Sequence, residues 1–180
     1  PAQPENADLD IVGRNGLAPI DRGQVWAMKL AQQYAAARGE EMKFISSVWS
    51  PPAWPKNTGD TYRSCLSGRP SGVDQENWDE FATYIADYVE GFEKVYGIPI
   101  WGLSFSNEPD AGGGAYSSNY WTPEAYEQVL REAIGPEWEA RGLIGKTRIQ
   151  IGDQMNYNTK YYKPFWDNPG TNYDYHDDYI

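Results

Sequence analysis

At 180 residues the chain is long enough to bury a sizeable core and short enough to be read as one domain, 1–180. A formal net charge of −11 argues against a nucleic-acid partner, and no run of about eighteen apolar residues offers a membrane span. A single cysteine, Cys65, and a single histidine, His176, exclude an internal disulfide, a cysteine metal cluster and a histidine-rich zinc site; no cofactor and no metal are expected.

The chain opens on Pro1 rather than methionine, so the natural start is expected upstream, and no secretory leader is visible. Asp21 reads as a helix N-cap, and Val25, Met28, Ala31 and Ala35 mark the inward face of a helix to about Arg38. "MKFISSV", 42–48, reads as a strand, and a Pro/Gly/Ser-rich loop follows over 50–73. Over 75–96, Trp78, Phe81, Ile85, Val89, Phe92 and Val95 recur at helical spacing, and Gly97 stops the helix. "IPIWGLSFS", 98–106, is a second strand, with Gly112-Gly113-Gly114 in the loop behind it. Thr122 and Pro123 open another helix, with Tyr126, Val129, Leu130 and Ile134 inward. "TRIQIG", 147–152, is a third strand, closed by Asp153, and a fourth is expected to begin near Tyr179-Ile180.

Strand–helix alternation argues an α/β fold with a parallel sheet, and right-handed crossovers would bring all three strand C-termini to one side. The strand-to-strand interval, on the order of 50 residues, is long because the loops leaving the strands are long. That is the pattern of a (β/α)8 TIM barrel, in which such loops build the site. A doubly wound sheet is the rival, but no G-x-G-x-x-G fingerprint follows any strand. A full barrel needs roughly 250 residues, so the expectation is an incomplete segment, about half a barrel. It would be completed by the rest of a longer enzyme or by a second copy of the chain.

The chemistry concentrates in "WGLSFSNEPD", 101–110, where an apolar run ends in an amide, two carboxylates and a proline. A carboxyl partly withdrawn from water can hold a proton to donate, and a neighbouring amide can hydrogen-bond a substrate hydroxyl. The same tripeptide is equally suited to a plain strand-ending turn. "SSVWSPPAWPKNTG", 46–59, and "IGDQMNYN", 151–158, follow the flanking strands, so three polar and aromatic strand ends should converge. Eight Trp and fourteen Tyr are rich for a core of this size. Some pack inside; others can offer faces on which sugar rings stack.

On these stretches, together with the "WTPEAY" to "LREAIGP" helix, the chain resembles glycoside hydrolase family 30 over most of residues 20–180. The Asn-Glu-Pro tripeptide recurs across a larger clan of retaining barrels; the "SPPAW" loop in register with it is more specific. The resemblance implies barrel strands three to five. It implies Glu108 as general acid/base, Asn107 as a hydrogen-bond partner of the sugar 2-hydroxyl, Trp49 lining the same subsite, and Asp153 reaching the pocket. Trp54 and Tyr116 are further candidate subsite walls, with core packing an equal alternative for Trp54. Asn156 and Tyr157 belong to the pocket or to a solvated loop.

Retaining hydrolysis needs a second carboxylate about 5–5.5 Å away as nucleophile. In the family that residue is a Glu at the end of strand seven, and no position of this chain corresponds to it. The chain alone is therefore expected to be inactive, and its open strand edges are expected to associate. Xylan, β-1,6-glucan, β-1,6-galactan and glucosylceramide are the substrates the resemblance implies, endo or exo. Lys56, Arg63 and Arg69 could read a glucuronic acid but are expected to be solvated surface charges. No apolar exposed stretch favours a lipid, so a secreted polysaccharide hydrolase is the expectation. The alternatives are a non-catalytic carbohydrate-binding module and an inactive fragment.

Overall fold

The computed structural model describes residues 23–111, 116–151, 153–156, 158–163 and 165. Helix α1 (Gln24–Ala37) buries Val25 and Ala35, and Met28 packs against the core. Gly23 is its N-cap, without a side-chain cap bond; the expected cap, Asp21, lies outside the described residues. Strand β1 (Phe44–Ser47) follows, then the long loop and a 3-10 turn, Gln75–Asn77, leading into α2 (Trp78–Tyr96). Strand β2 (Ile100–Ser104), α3 (Pro123–Val129), a π-helical turn Leu130–Ile134, α4 (Gly135–Ala140) and β3 (Arg148–Gln150) complete the order. The expected Gly112–Gly114 loop and the fourth strand near Tyr179 fall outside the described residues.

Helix α2 forms because its apolar residues repeat along one face and its ends are matched to the helix dipole. Asp79 and Glu80 sit in the first turn and Lys94 in the last. Gly97 takes the left-handed cap, φ +65°, and its N–H bonds the Glu93 carbonyl at 2.7 Å. Trp78, Phe81, Ile85, Val89 and Phe92 are buried as their spacing requires. Val95 is not: it is 67% exposed. The 3.6-residue period brings Tyr96 rather than Val95 back to the inward face, and its ring meets Phe92 edge-on at 5.1 Å.

The helix opening at Thr122 starts as expected, the Thr122 hydroxyl accepting the Ala125 N–H at 3.2 Å. It does not run on as one α-helix. Pro136 has no N–H and its ring crowds the carbonyl four residues back. The chain widens just before it: in the π-helical turn the Gly135 N–H reaches the Leu130 carbonyl, five residues back.

The strands pair in the order β1-β2-β3, both pairs parallel. Chain neighbours are sheet neighbours, each joined through helix, which is the arrangement of a (β/α)8 barrel segment; a doubly wound sheet reverses its order at a switch point. The described residues thus form an incomplete barrel of three strands. Between sheet and helices lies one core, built of Phe81 and Ile85 from α2, Leu103 and Phe105 from β2 and its extension, and Tyr126, Leu130, Ile134 and Trp138 from the α3–α4 region. Phe105 stacks on Tyr126 at 4.3 Å and meets Trp121 edge-on at 6.2 Å. Trp78, Trp121 and Trp138 are all buried, so core packing accounts for part of the aromatic excess.

Candidate functional site

Phe105, fully buried, anchors the end of β2; truncating a side chain so placed costs about 3–5 kcal/mol. Beyond it the backbone leaves the sheet but stays tied to both neighbours. The Val48 N–H bonds the Ser104 carbonyl at 2.9 Å, and the Asn107 N–H returns a bond to the Val48 carbonyl at 2.8 Å. One residue on, the Glu108 N–H reaches the Asp153 carbonyl at 2.7 Å. Asn107 and Glu108 are thereby stitched to the ends of β1 and β3 at once.

Glu108 pays for this in backbone strain: its φ is +46°, the only positive φ at a non-glycine residue among those described. A non-glycine residue held left-handed costs about 1–3 kcal/mol and persists only where its surroundings over-determine it. Here the turn is fixed by the Ala111 N–H on the Glu108 carbonyl (2.9 Å) and the Trp121 N–H on the Pro109 carbonyl (2.9 Å).

Around Glu108 the side chains are placed as follows. The Tyr116 hydroxyl donates to Glu108 Oε2 at 3.1 Å, and that bond holds the Tyr116 phenol above its ordinary pKa. The Tyr116 ring meets Trp49 edge-on, centroids 6.1 Å apart at 72°, and Trp49 is half-exposed. Asp153 is oriented by Ser47, whose hydroxyl donates to Oδ2 at 2.9 Å. Asn107 is half-buried beside Glu108. Trp49, Asn107, Glu108, Tyr116 and Asp153 therefore gather at the C-terminal ends of three parallel strands.

Asp110 has a different task. Its carboxylate accepts the Met155 N–H (2.8 Å), the Asn156 N–H (3.1 Å) and Asn156 Nδ2 (3.2 Å), pinning the loop after β3. Asn156 is thus committed to that loop, while Tyr157 lies outside the described residues.

For Trp54 the core-packing alternative does not hold. At 58% exposed it is not in the core. It lines a groove with Asp79, Glu80, Thr83, Tyr84 and Asp87, the outward face of α2, and among the described residues it makes no ring contact with Trp49 or Tyr116. The loop has turned it toward the helix layer.

Lys56 is a second correction. It is not a solvated charge but 5% exposed, its ammonium enclosed by backbone carbonyls. Arg69 pairs with Asp74 at 3.8 Å, and Arg63 is exposed, so the three do not form a cationic cluster. Nothing local in "WPKNTG" signals burial; the enclosing groups come from residues 61, 63 and 118. Among the described residues no group of three or more His, Cys, Asp or Glu side chains is placed to hold a metal ion, and no helix is long and apolar enough to cross a membrane.

The model of one family, described as the glycosyl hydrolase family 30 TIM-barrel domain, matches residues 21–168. A putative glucosylceramidase of Caenorhabditis elegans is 31% identical over 137 residues, covering 73% of this chain and 25% of that protein. An endo-1,6-β-D-glucanase of Aspergillus fumigatus is 25% identical over 131 residues, covering 68% of this chain and 26% of that protein. Among solved structures, a family 30 subfamily 8 xylanase from Clostridium acetobutylicum superposes with a TM-score of 0.64 at 20% identity, over 86% of this chain and 35% of that one. The chain spans about a quarter of the length of the curated relatives it matches.

Proposed function

The chain belongs to glycosyl hydrolase family 30, and from that premise we propose that it forms the acid/base side of a retaining β-glycosidase, with Glu108 as the proton donor. The observation that supports this most is the placement of Glu108: a carboxylate at a barrel strand's C-terminal end, held in a strained backbone by both flanking strands.

In this reading Glu108 protonates the glycosidic oxygen as the bond to the leaving group breaks. A nucleophilic carboxylate about 5–5.5 Å away, supplied from outside these 180 residues, holds the sugar as a covalent intermediate. Glu108, now ionised, takes a proton from the water that releases it. Tyr116 suits both steps. Its donated bond occupies Oε2, which leaves Oε1 to carry the proton, and it steadies the carboxylate once the proton has gone. Asn107 would hydrogen-bond the sugar 2-hydroxyl, Trp49 would stack on the ring, and Asp153 would contact the same subsite.

The substrate is a β-linked glycan or glycoside. Polysaccharide is the preferred class, because the exposed aromatics at the site, Trp49 and Tyr116, are flanked by hydrogen-bonding groups rather than by a continuous apolar surface; secretion is the location that goes with a substrate too large to enter a cell. β-1,6-Glucan, xylan, β-1,6-galactan and a glucosyl lipid are the panel to assay.

The test is Glu108→Gln in the full-length polypeptide that contains this segment. Hydrolysis of substrates with poor leaving groups should fall by about 100-fold or more, with activated aryl glycosides affected far less. Azide should restore turnover by replacing water where the general base is missing. A variant that keeps wild-type rates on poor leaving groups rules the assignment out. A carbohydrate-binding module would instead show no turnover in either form and unchanged affinity.

A further inference from the structure

Lys56 is the only lysine or arginine buried among the described residues, and no carboxylate there lies within salt-bridge distance of it. A buried charge without an ionic partner must be held by dipoles, since burial unmatched costs several kcal/mol. Its partners are four oxygens. Nζ donates to the Ser118 carbonyl at 2.7 Å, to Ser50 Oγ at 3.1 Å, to the Thr61 carbonyl at 3.4 Å, and to the Arg63 carbonyl.

Those oxygens come from two separate loops. Ser50, Thr61 and Arg63 belong to the loop after β1, and Ser118 to the loop after β2. The Ser118 N–H bonds the Thr61 carbonyl at 3.2 Å, so the two loops meet at the ammonium. Ser50 is the residue after Trp49. Ser118 is two residues from Tyr116, and its hydroxyl donates to the Tyr116 carbonyl at 3.3 Å. The two rings that touch beside Glu108 are thus each held, within two residues, by the same cation.

We propose that Lys56 is a positioning residue: its ammonium clasps the loops after β1 and β2 so that Tyr116 meets Trp49 and holds Glu108 Oε2. The inference rests on Glu108 being the acid/base. An ammonium suits the task because it offers three donors from one atom to acceptors on different segments. Methionine, of similar length, offers none, so all four bonds to the two loops would be lost, and of the contacts at the ammonium the Ser118 N–H on the Thr61 carbonyl would be left to join the loops. The loops would stay joined farther along, at Gly72 and Tyr120, but would loosen beside Ser118, and Tyr116 would lose its fixed approach to Glu108.

The experiment compares Lys56→Met, Tyr116→Phe and the double variant in the full-length polypeptide, on two aryl β-glycosides. One leaving group is a dinitrophenol, which departs without a proton; the other is phenol, which needs one. If the clasp acts through Tyr116 and Glu108, K56M should lose about 10-fold or more in kcat/KM on the phenyl glycoside and less than about 3-fold on the dinitrophenyl one. Y116F should show the same split, and the double variant should be no worse than the poorer single one. Equal losses on both substrates, or additive losses in the double variant, would overturn the proposal, because a general weakening of the fold does not distinguish leaving groups.

Should K56M fail to fold, Lys56→Gln is read on the same substrates. If the wild type cleaves neither glycoside, the acid/base assignment is judged by Glu108→Gln on the polysaccharide panel and the clasp by amide hydrogen exchange alone. The Ser118 amide should then exchange about 10-fold faster in the variant than in the wild type. An unchanged rate would dismiss the clasp.

Discussion

Glu108 and Lys56 show two ways in which one residue is kept where its chemistry alone would not put it. Glu108 is held in a left-handed backbone by its own bonds to Asp153 and Ala111 and by the bond of its neighbour Asn107 to Val48. Lys56 is kept out of water, and burial pushes its ammonium from an ordinary 10.5 down to about 8, against the opposing pull of Asp60 and Cys65. The consequence for stability has a definite sign. Between those two values the unfolded chain binds more protons than the folded one, so stability rises with pH across that window. The neutral amine keeps two N–H donors, so the clasp outlasts the charge. Urea unfolding of wild type and K56M, compared from about pH 7 to 9.5, should show the wild type gaining relative to the variant as pH rises. A constant difference would contradict the buried ammonium. Taking the difference also removes Tyr84 and Tyr161, whose phenols burial raises above their ordinary range. The place of Glu108 at a strand end was legible in the sequence because an apolar run broke off abruptly into polar groups. Lys56 was not, since its carbonyl partners are five, seven and sixty-two residues away and no periodic pattern links them.

At the level of elements, the helices and strands were legible because their patterns are local. The period along α2 and the Thr122-Pro123 start needed no tertiary information. The misreading of Val95 came from counting one step of three too many at the helix end, and the π-helical turn came from Pro136, which a list of apolar positions ignores. The loops were the opaque part. The loop after β1 is joined to the loop after β2 at Gly72, whose N–H bonds the Tyr120 carbonyl at 2.7 Å and whose carbonyl accepts the Asn57 N–H at 3.0 Å. A Cβ at Gly72 would lie 2.0 Å from Asn119 Oδ1 and 2.1 Å from the Ser64 carbonyl. The Asn119 amide is buried without a hydrogen-bond partner among the described residues, so close fit alone keeps it in place. Gly72→Ala should therefore lower stability by about 1–3 kcal/mol or more, read as a lower urea midpoint at unchanged slope. An unaltered midpoint would show that the two loops yield freely.

For the whole molecule, β1 and β3 each pair on one side only among the described residues, and Ile45 on β1 is 58% exposed. Open strand edges and apolar surface favour pairing with another chain. The 180-residue chain made alone should increase in mass with concentration in sedimentation experiments, and co-expression with the segments that complete the barrel should suppress this. A monomer at all concentrations would mean that the edges are covered. That three strands belong to a barrel was legible from their alternation with helices and from polar strand ends. What closes that barrel is not carried by any pattern within these residues.

The stitching of Asn107 and Glu108 to Val48 and Asp153 also has a consequence in time. Val48 lies 59 residues before Asn107, and Asp153 lies 45 residues after Glu108. Contacts so distant in sequence close late, after the local helices that shorten the path between them. The turn that carries Glu108 is therefore shaped last. A chain caught halfway, as it emerges or refolds, has its helices but not yet a fixed Glu108 carboxylate, and the three strand ends come together only when both crossovers have closed.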